Sequence, residues 1–318
     1  MSAAVIERFG PPEVLRIASR PIPAPGPDQL LVRIVAAGVN PVDAQNRNDG
    51  SWAGIPLPAT LGSDAAGVVV AVGSGVNDFA VGDDVYYFSD FLGGADGAYA
   101  EYQTVDARIV ARRPAPLSFG EAAAVPLAAG TAYELIVRRL AVAPGQRILI
   151  VGASGGVGTY AVQLAHGVGA HVVAVASEAR HDALRELGAD VALDYRHADL
   201  WQQVRRAGRI DAVVDLAGGE VPLRGVEVLA EAGALATVNT LSGDFELAVD
   251  KNLTLHGVLV RPEADRLREL ASLVDRGVLR PIVSGEFALD DIVAAHRQIE
   301  TGHTFGKLVV RVTPEPAA

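Results

Sequence analysis

Residues 147 to 158, Arg-Ile-Leu-Ile-Val-Gly-Ala-Ser-Gly-Gly-Val-Gly, constrain this chain more than any other stretch. An aliphatic run from Arg147 to Val151 enters a glycine cluster, and Thr159 to Gly167 follows with helical spacing. A continuous apolar run is the pattern of a parallel strand buried on both faces. The helix that starts at the turn aims unpaired N–H groups and its positive dipole end at an anion, so a pyrophosphate suits the site. Gly155 would let the backbone approach the phosphates and Gly158 would let helix and strand pack closely, while Ala153 stands where G-x-G-x-x-G has its first glycine. An ordinary glycine-rich βα turn accounts for the same residues when they are taken alone.

The chain has 318 residues, 50% hydrophobic and 20% charged, which is the composition of a soluble globular protein with room for two domains. Its most apolar stretches are broken within about ten residues, so no membrane span is expected. The opening Met-Ser-Ala-Ala-Val-Ile-Glu-Arg has no basic segment followed by an apolar one, which predicts a cytoplasmic protein. With no cysteine, disulfides and cysteine-ligated zinc are excluded. A net charge of −11 disfavours nucleic acid, since phosphate binding needs clustered cations. The seven histidines, at 166, 171, 181, 197, 256, 296 and 303, lack metal-ligand spacing and read as structural or solvated.

Up to about residue 115 the chain reads as a β-rich domain, with short apolar runs separated by turn residues and by the proline-rich 21 to 27. From Phe119 it becomes helical and then alternates. Strands are predicted at 147–151, 171–176, 190–193, 210–215, 234–239 and 253–260, with helices between most of them. That alternation predicts a doubly wound parallel sheet with its ligand at the carboxyl ends of the strands. Helices are expected at 263–276 and 294–301, and the closing strand 306–312 is expected to return to the first domain.

Several stretches in this order resemble the medium-chain dehydrogenase/reductase superfamily, and within it the zinc-independent, zeta-crystallin-like quinone oxidoreductases. They are Gly38-Val-Asn-Pro-Val-Asp43, Gly62-Ser-Asp-Ala-Ala-Gly67, Gly97-Ala-Tyr-Ala-Glu-Tyr102, Gly130-Thr-Ala-Tyr133, Gly152 to Gly158, Leu187-Gly-Ala-Asp190, Asp215-Leu-Ala-Gly-Gly219 and Gly306-Lys307. The resemblance implies an α/β fold: a GroES-like β-barrel domain over 1–117 and 262–318, interrupted by a Rossmann domain over 118–261, with the active site in the cleft between them. Where zinc alcohol dehydrogenases of this superfamily carry their catalytic ligands, this chain has Asn40, Ser63 and Ala128, so no metal is expected. Without a Lewis acid to hold an alkoxide, reduction of an electron-poor acceptor is the better reading.

The resemblance therefore implies an NADPH-dependent reductase of quinones or enones. Ser154, Gly155, Gly156, Val157 and Gly158 would hold the pyrophosphate. Ser177, Arg180 and Tyr195 would hold the 2′-phosphate, while Glu178 would favour NADH if the register moved by one residue. Thr131, Val238 and Asn239 would lie near the nicotinamide, and Asn239 could bond its carboxamide. Asn40, Asp43 and Arg47 would line the catalytic position. Asn40-Pro41 is equally compatible with a simple turn capped by Asp43. Rival readings are an enoyl-thioester reductase of the same fold and a non-catalytic NADPH-binding sensor or RNA-associated protein. The apolar run 253–260 predicts a homodimer formed by edge strands of two Rossmann sheets.

Overall fold

A computed structural model of the chain describes residues 1–90, 92, 94 and 96–316. It divides into two compact units, one made of Met1–Ala128, Arg261–Gly277 and Pro281–Ala318 and the other of Ala129–Val260 and Val278–Arg280. Residues 317 and 318 of the predicted first domain lie outside the described residues.

The first unit begins with β1 (Ser2–Ile6), β2 (Arg16–Ser19), β3 (Gln29–Val39), α1 (Pro41–Asp49), β4 (Ala59–Thr60), β5 (Asp64–Val72), β6 (Asp84–Phe88), β7 (Tyr102–Asp106), β8 (Ala111–Arg112) and α2 (Phe119–Ala123). The second holds most of α3 (Pro126–Tyr133), then β9 (Arg147–Val151), α4 (Gly156–Gly167), β10 (His171–Ala176), α5 (His181–Glu186), β11 (Val191–Asp194), α6 (Leu200–Arg206), β12 (Ile210–Asp215), α7 (Val221–Val228), β13 (Leu229–Thr237), α8 (Glu246–Asp250) and β14 (Thr254–Gly257). The chain then adds α9 (Ala264–Asp275), β15 (Val283–Ala288), α10 (Ile292–Glu300) and β16 (Lys307–Arg311) to the first unit.

In the first unit β3 is the spine. Its eleven residues are apolar except Gln29 and Arg33, and most are buried, as a strand covered on both faces requires. β5 runs antiparallel along one edge, while the other edge is shared between β7 at Gln29 to Arg33 and β16 at Ala36 to Val39. Register shifts between β3 and β5 bend the sheet, as bulges do where sheets curve. The predicted return of the last strand is thus observed.

Residues 118–128 correct the predicted boundary, because they lie with the first unit. α2 packs so closely that a Cβ on Gly38 would come within 2.4 Å of the Ala123 carbonyl oxygen. Composition signals a helix there but not which sheet it covers.

The second unit is a six-stranded, all-parallel sheet in the order β11-β10-β9-β12-β13-β14. Leu149, Val151, Val173, Val175, Val213 and Leu235 from its strands pack with Leu200 and Val204 of α6. Each such buried side chain contributes about 1.5–3 kcal/mol relative to exposure. Two strand predictions are corrected in extent. β13 starts at Leu229 rather than 234, and β14 covers only Thr254–Gly257 of the predicted 253–260. Parallel pairing with β13 ends once β13 ends, and Val258 donates the last bond to the Thr237 carbonyl, at 2.8 Å.

Candidate active site

Three strand ends meet in the first unit. The register pairs Gly38 with Asp64 and Val39 with Leu308, so the residues at the end of β3, the start of β5 and the start of β16 become neighbours. Gly38 makes room for this, since a Cβ there would lie 2.9 Å from the Asp64 carboxylate. Asn40, Asp64 and Lys307 are all buried, at 3%, 0% and 3% exposure. The Asn40 Nδ2 donates to Asp64 Oδ2 at 2.9 Å, and the Lys307 ammonium donates to Asn40 Oδ1 at 2.5 Å, Asp64 Oδ2 at 3.3 Å and the Val39 carbonyl at 3.0 Å. The Leu127 N–H completes the carboxylate at 2.7 Å. An ammonium only donates and a carboxylate only accepts, so the Asn40 amide has one orientation here, oxygen to Lys307 and nitrogen to Asp64.

Asp43, on the first turn of α1, belongs to the same cluster. It accepts from the Asn40 N–H at 2.9 Å, the Ser63 hydroxyl at 2.7 Å and the Tyr99 hydroxyl at 3.0 Å. The bond to Asn40 is the capping arrangement foreseen as an alternative, and it also holds Asn40 in place. Burial pushes the Asp43 carboxyl up to about 6 and the Asp64 charge adds to this, while the bonds from Ser63, Asn40 and Tyr99 resist it. Burial also raises Asp64, and Lys307 opposes the rise.

Arg47 is brought elsewhere. Only 1% exposed, it donates to the Gly10 carbonyl at 3.0 Å, to Nδ1 of His296 at 3.3 Å and to Glu300 at 2.5 Å, bracing α1 against the N-terminal loop and α10. These contacts describe a structural brace rather than the substrate-facing residue expected from its position. His296 must accept from Arg47 on Nδ1, so Nε2 carries the proton. Nε2 has no hydrogen-bond partner among the described residues, and the ring meets Tyr99 edge to face at 5.6 Å. Burial first, then the Arg47 charge, pushes His296 down to about 3, so it stays neutral at ordinary pH.

In the second unit the predicted nucleotide residues gather at the carboxyl edge of the sheet. The strand order reverses between β9 and β12, which is where doubly wound sheets open a crevice. Gly152, at φ 86°, makes the tight turn one residue before the position expected from the fingerprint, which is why Ala153 is tolerated. Gly155 is the N-cap of α4 and provides no side-chain cap, while Ser154, Gly155, Gly156 and Val157 are half-buried. Gly158 is buried against the Gly152 carbonyl. This cradle fits a pyrophosphate.

The β10–β11 register pairs Ala176 with Asp194, so Ser177 and Tyr195 are the next residues out on neighbouring strands. Tyr195 is half exposed and Arg180 half-buried, while Glu178 starts the following 3-10 turn with an exposed side chain. Asp194 ties this corner together by accepting from the Glu178 N–H at 3.0 Å and from the Arg196 guanidinium, which holds its carboxyl well below the usual range. Val238, 40% exposed, and Asn239 follow β13. The Asn239 side chain donates to Asp215 at 3.3 Å, and Asp215 also accepts from Thr237 and from the N–H groups of Ala217 and Gly218. The Asn239 amide is thereby engaged with Asp215 instead of standing ready for a carboxamide. Thr131 is buried on α3, away from these strand ends in sequence.

Sequence reasoning passed over Asp64, Tyr99, Lys307, Asp194 and Arg196 as site residues. Asp64 and Lys307 stand inside motifs that were noticed, but nothing in sequence signals that two charges far apart will be buried together.

Residues 26–115 match the family described as alcohol dehydrogenase GroES-like domain, and residues 187–310 the family described as zinc-binding dehydrogenase. The chain is 36% identical to the 2-methylene-furan-3-one reductase of Solanum lycopersicum, over 96% of this chain and 78% of the relative. It is also 36% identical to the chloroplastic NADPH-dependent alkenal/one oxidoreductase of Arabidopsis thaliana, over 99% and 80%. The chain belongs to the medium-chain dehydrogenase/reductase superfamily. Among solved structures it superposes on an NAD-dependent alcohol dehydrogenase with TM-score 0.93 and 33% identity, covering 98% of this chain and 100% of that one. With the quinone oxidoreductase of Coxiella burnetii the TM-score is 0.91 and the identity 34%, covering 98% and 99%. As a member of this superfamily the protein is an oxidoreductase. The metal in the matched family's description does not fit these residues. Asn40 and Ser63 are committed to Asp64, Lys307 and Asp43, Ala128 has no donor atom, and the Lys307 charge repels a second cation.

Proposed function

We propose that this protein is an NADPH-dependent, zinc-independent reductase that transfers hydride to an α,β-unsaturated carbonyl or a quinone. The observation that carries the reading is the fixed orientation of Asn40, whose amide is presented as a hydrogen-bond donor among side chains unsuited to a metal. When bound, NADPH supplies the hydride with its electron pair, and a proton from water completes the reduced acceptor. Asn40 meets the acceptor oxygen as negative charge develops on it, which is the role a preorganised donor performs best. Asp43 holds Asn40 by its backbone and Ser63 by its hydroxyl.

Ser154, Gly155, Gly156, Val157 and Gly158 would hold the pyrophosphate, and Ser177, Arg180 and Tyr195 the 2′-phosphate. The register supports NADPH over NADH, because the residue leaving β10 is Ser177 and Glu178 lies one position beyond it. The relatives named above as an alkenal/one oxidoreductase and a 2-methylene-furan-3-one reductase direct the acceptor toward conjugated carbonyls. Thr131 and Val238 keep their expected place beside the nicotinamide in this proposal, and Arg47 serves as a brace.

The test is titration with NADPH and NADH, using wild type and Arg180→Ala, followed by 1,4-benzoquinone and a small enone. Losing a charge-assisted phosphate contact should cost about 1.5–3 kcal/mol, roughly ten- to a hundredfold in affinity, for NADPH alone. Equal NADH binding with an inert Arg180→Ala would make Glu178 the ribose ligand instead. Inert acceptors with intact NADPH binding would move the search to enoyl thioesters.

The homodimer proposal rests on β14, the edge strand of the six-stranded sheet, with Leu259 55% exposed just beyond it. An unpaired apolar edge is a template for a second copy. Sedimentation at micromolar concentration should show a dimer, and a monomer there would end the proposal.

A further inference from the structure

Among the groups buried beside Asn40, Lys307 has the most unusual surroundings. Its ammonium is almost fully enclosed, and each of its three donors has an acceptor: the Val39 carbonyl, Asn40 Oδ1 and Asp64 Oδ2. A buried ammonium that only offset the Asp64 charge would not need to bond the Asn40 amide oxygen as well. It does bond it, at 2.5 Å, and the same amide gives one of its two Nδ2 hydrogens to Asp64. The amide is thus held at both ends, with a cation on its oxygen and one hydrogen left to give. A cation on an amide oxygen draws electron density from the nitrogen, and hydrogen bonds linked in this way strengthen one another by roughly 10–30% each.

We propose that Lys307 is a positioning residue for the reduction: braced by Asp64 and Val39, its ammonium locks and polarises the Asn40 amide so that the remaining Nδ2 hydrogen is presented to the acceptor oxygen. The inference rests on reading Asn40 as that oxygen's donor. It explains why a lysine begins β16, where the register places it beside the end of β3. A donor fixed before the acceptor arrives needs no reorganisation during the reaction.

The experiment compares wild type, Lys307→Met and the doubly substituted Asp64→Leu/Lys307→Met protein. The double replacement removes both buried charges together, which usually preserves folding. Turnover of the enone, NADPH affinity and the side-chain amide resonance of Asn40 in a ¹⁵N–¹H spectrum, assigned by its loss in Asn40→Ser, are measured on each. In Lys307→Met the Asn40 resonance should move and kcat should fall by about tenfold or more, with NADPH affinity within about twofold. In the double variant folding should return while kcat stays low. Recovery of kcat together with stability, or an unmoved Asn40 resonance in the folded double variant, would overturn the proposal and leave Lys307 as charge balance for Asp64. A wild type inert toward every quinone and enone would sink the acceptor reading, and the Asn40 resonance would then still decide whether Lys307 holds the amide.

Discussion

Asp64→Leu is expected to destabilise the protein by about 3–5 kcal/mol, because it removes the carboxylate and leaves the Lys307 ammonium buried without its counter-charge. Asp64 is fully buried and accepts three bonds, from Asn40, Leu127 and Lys307. The single substitution therefore orphans three donors, one of them charged. Adding Lys307→Met should recover most of the loss, since an enclosed ion pair replaced by apolar side chains of similar volume is often neutral or better. Urea unfolding of the four proteins in this cycle measures the coupling directly. If Asp64→Leu stays within about 1 kcal/mol of wild type, the pair is not the electrostatic unit described here.

Gly158→Ala should have an effect of similar rank on the second unit. An added Cβ would lie 2.3 Å from the Gly152 carbonyl oxygen and 2.6 Å from Ala153 backbone atoms, with no flexible side chain to yield. α4 must then move off the turn that follows β9. The expected loss is about 1–3 kcal/mol or more of stability, since overpacking of a tight contact costs that much. NADPH affinity should fall by roughly tenfold or more, as the helix N-terminus is displaced from the phosphates. Gly155→Ala is the control. Its Cβ would meet only the Gly152 carbonyl, at 3.5 Å, which is ordinary contact. Stability should change by no more than about 0.5 kcal/mol, while NADPH binding weakens because the methyl occupies the approach to the phosphates. Thermal melts and NADPH titrations of the two variants separate folding from binding. Equal NADPH affinity in wild type and Gly155→Ala would mean that the phosphates lie elsewhere.

Local signals in this chain were legible wherever one element contained the whole message. The run Arg147 to Val151 and the glycines after it specify a buried strand, a turn and a helix within twenty residues, and the observed β9 and α4 follow that pattern. β10 and β12 likewise coincide with their predicted ranges. β15 escaped notice because Val-Ser-Gly-Glu-Phe-Ala has a glycine inside it and little apolar content. It becomes a strand only because β16 lies beside it.

The site follows the same division. The sequence by itself determined a pyrophosphate cradle from Gly152 to Gly158, a serine rather than a carboxylate at the end of β10, and the lack of zinc-ligating side chains at Asn40, Ser63 and Ala128. Only the tertiary structure decided what Asn40 touches. Its partners Asp64 and Lys307 stand 24 and 267 residues away, and they meet because β3 pairs with β5 on one edge and with β16 on the other. Arg47 and Asn239 show the converse, since position alone suggested ligand contacts while packing gave Arg47 to Gly10, His296 and Glu300, and Asn239 to Asp215. A strand's burial is written in its own residues, whereas the partner of a buried charge is set by sheet register, which depends on every strand at once.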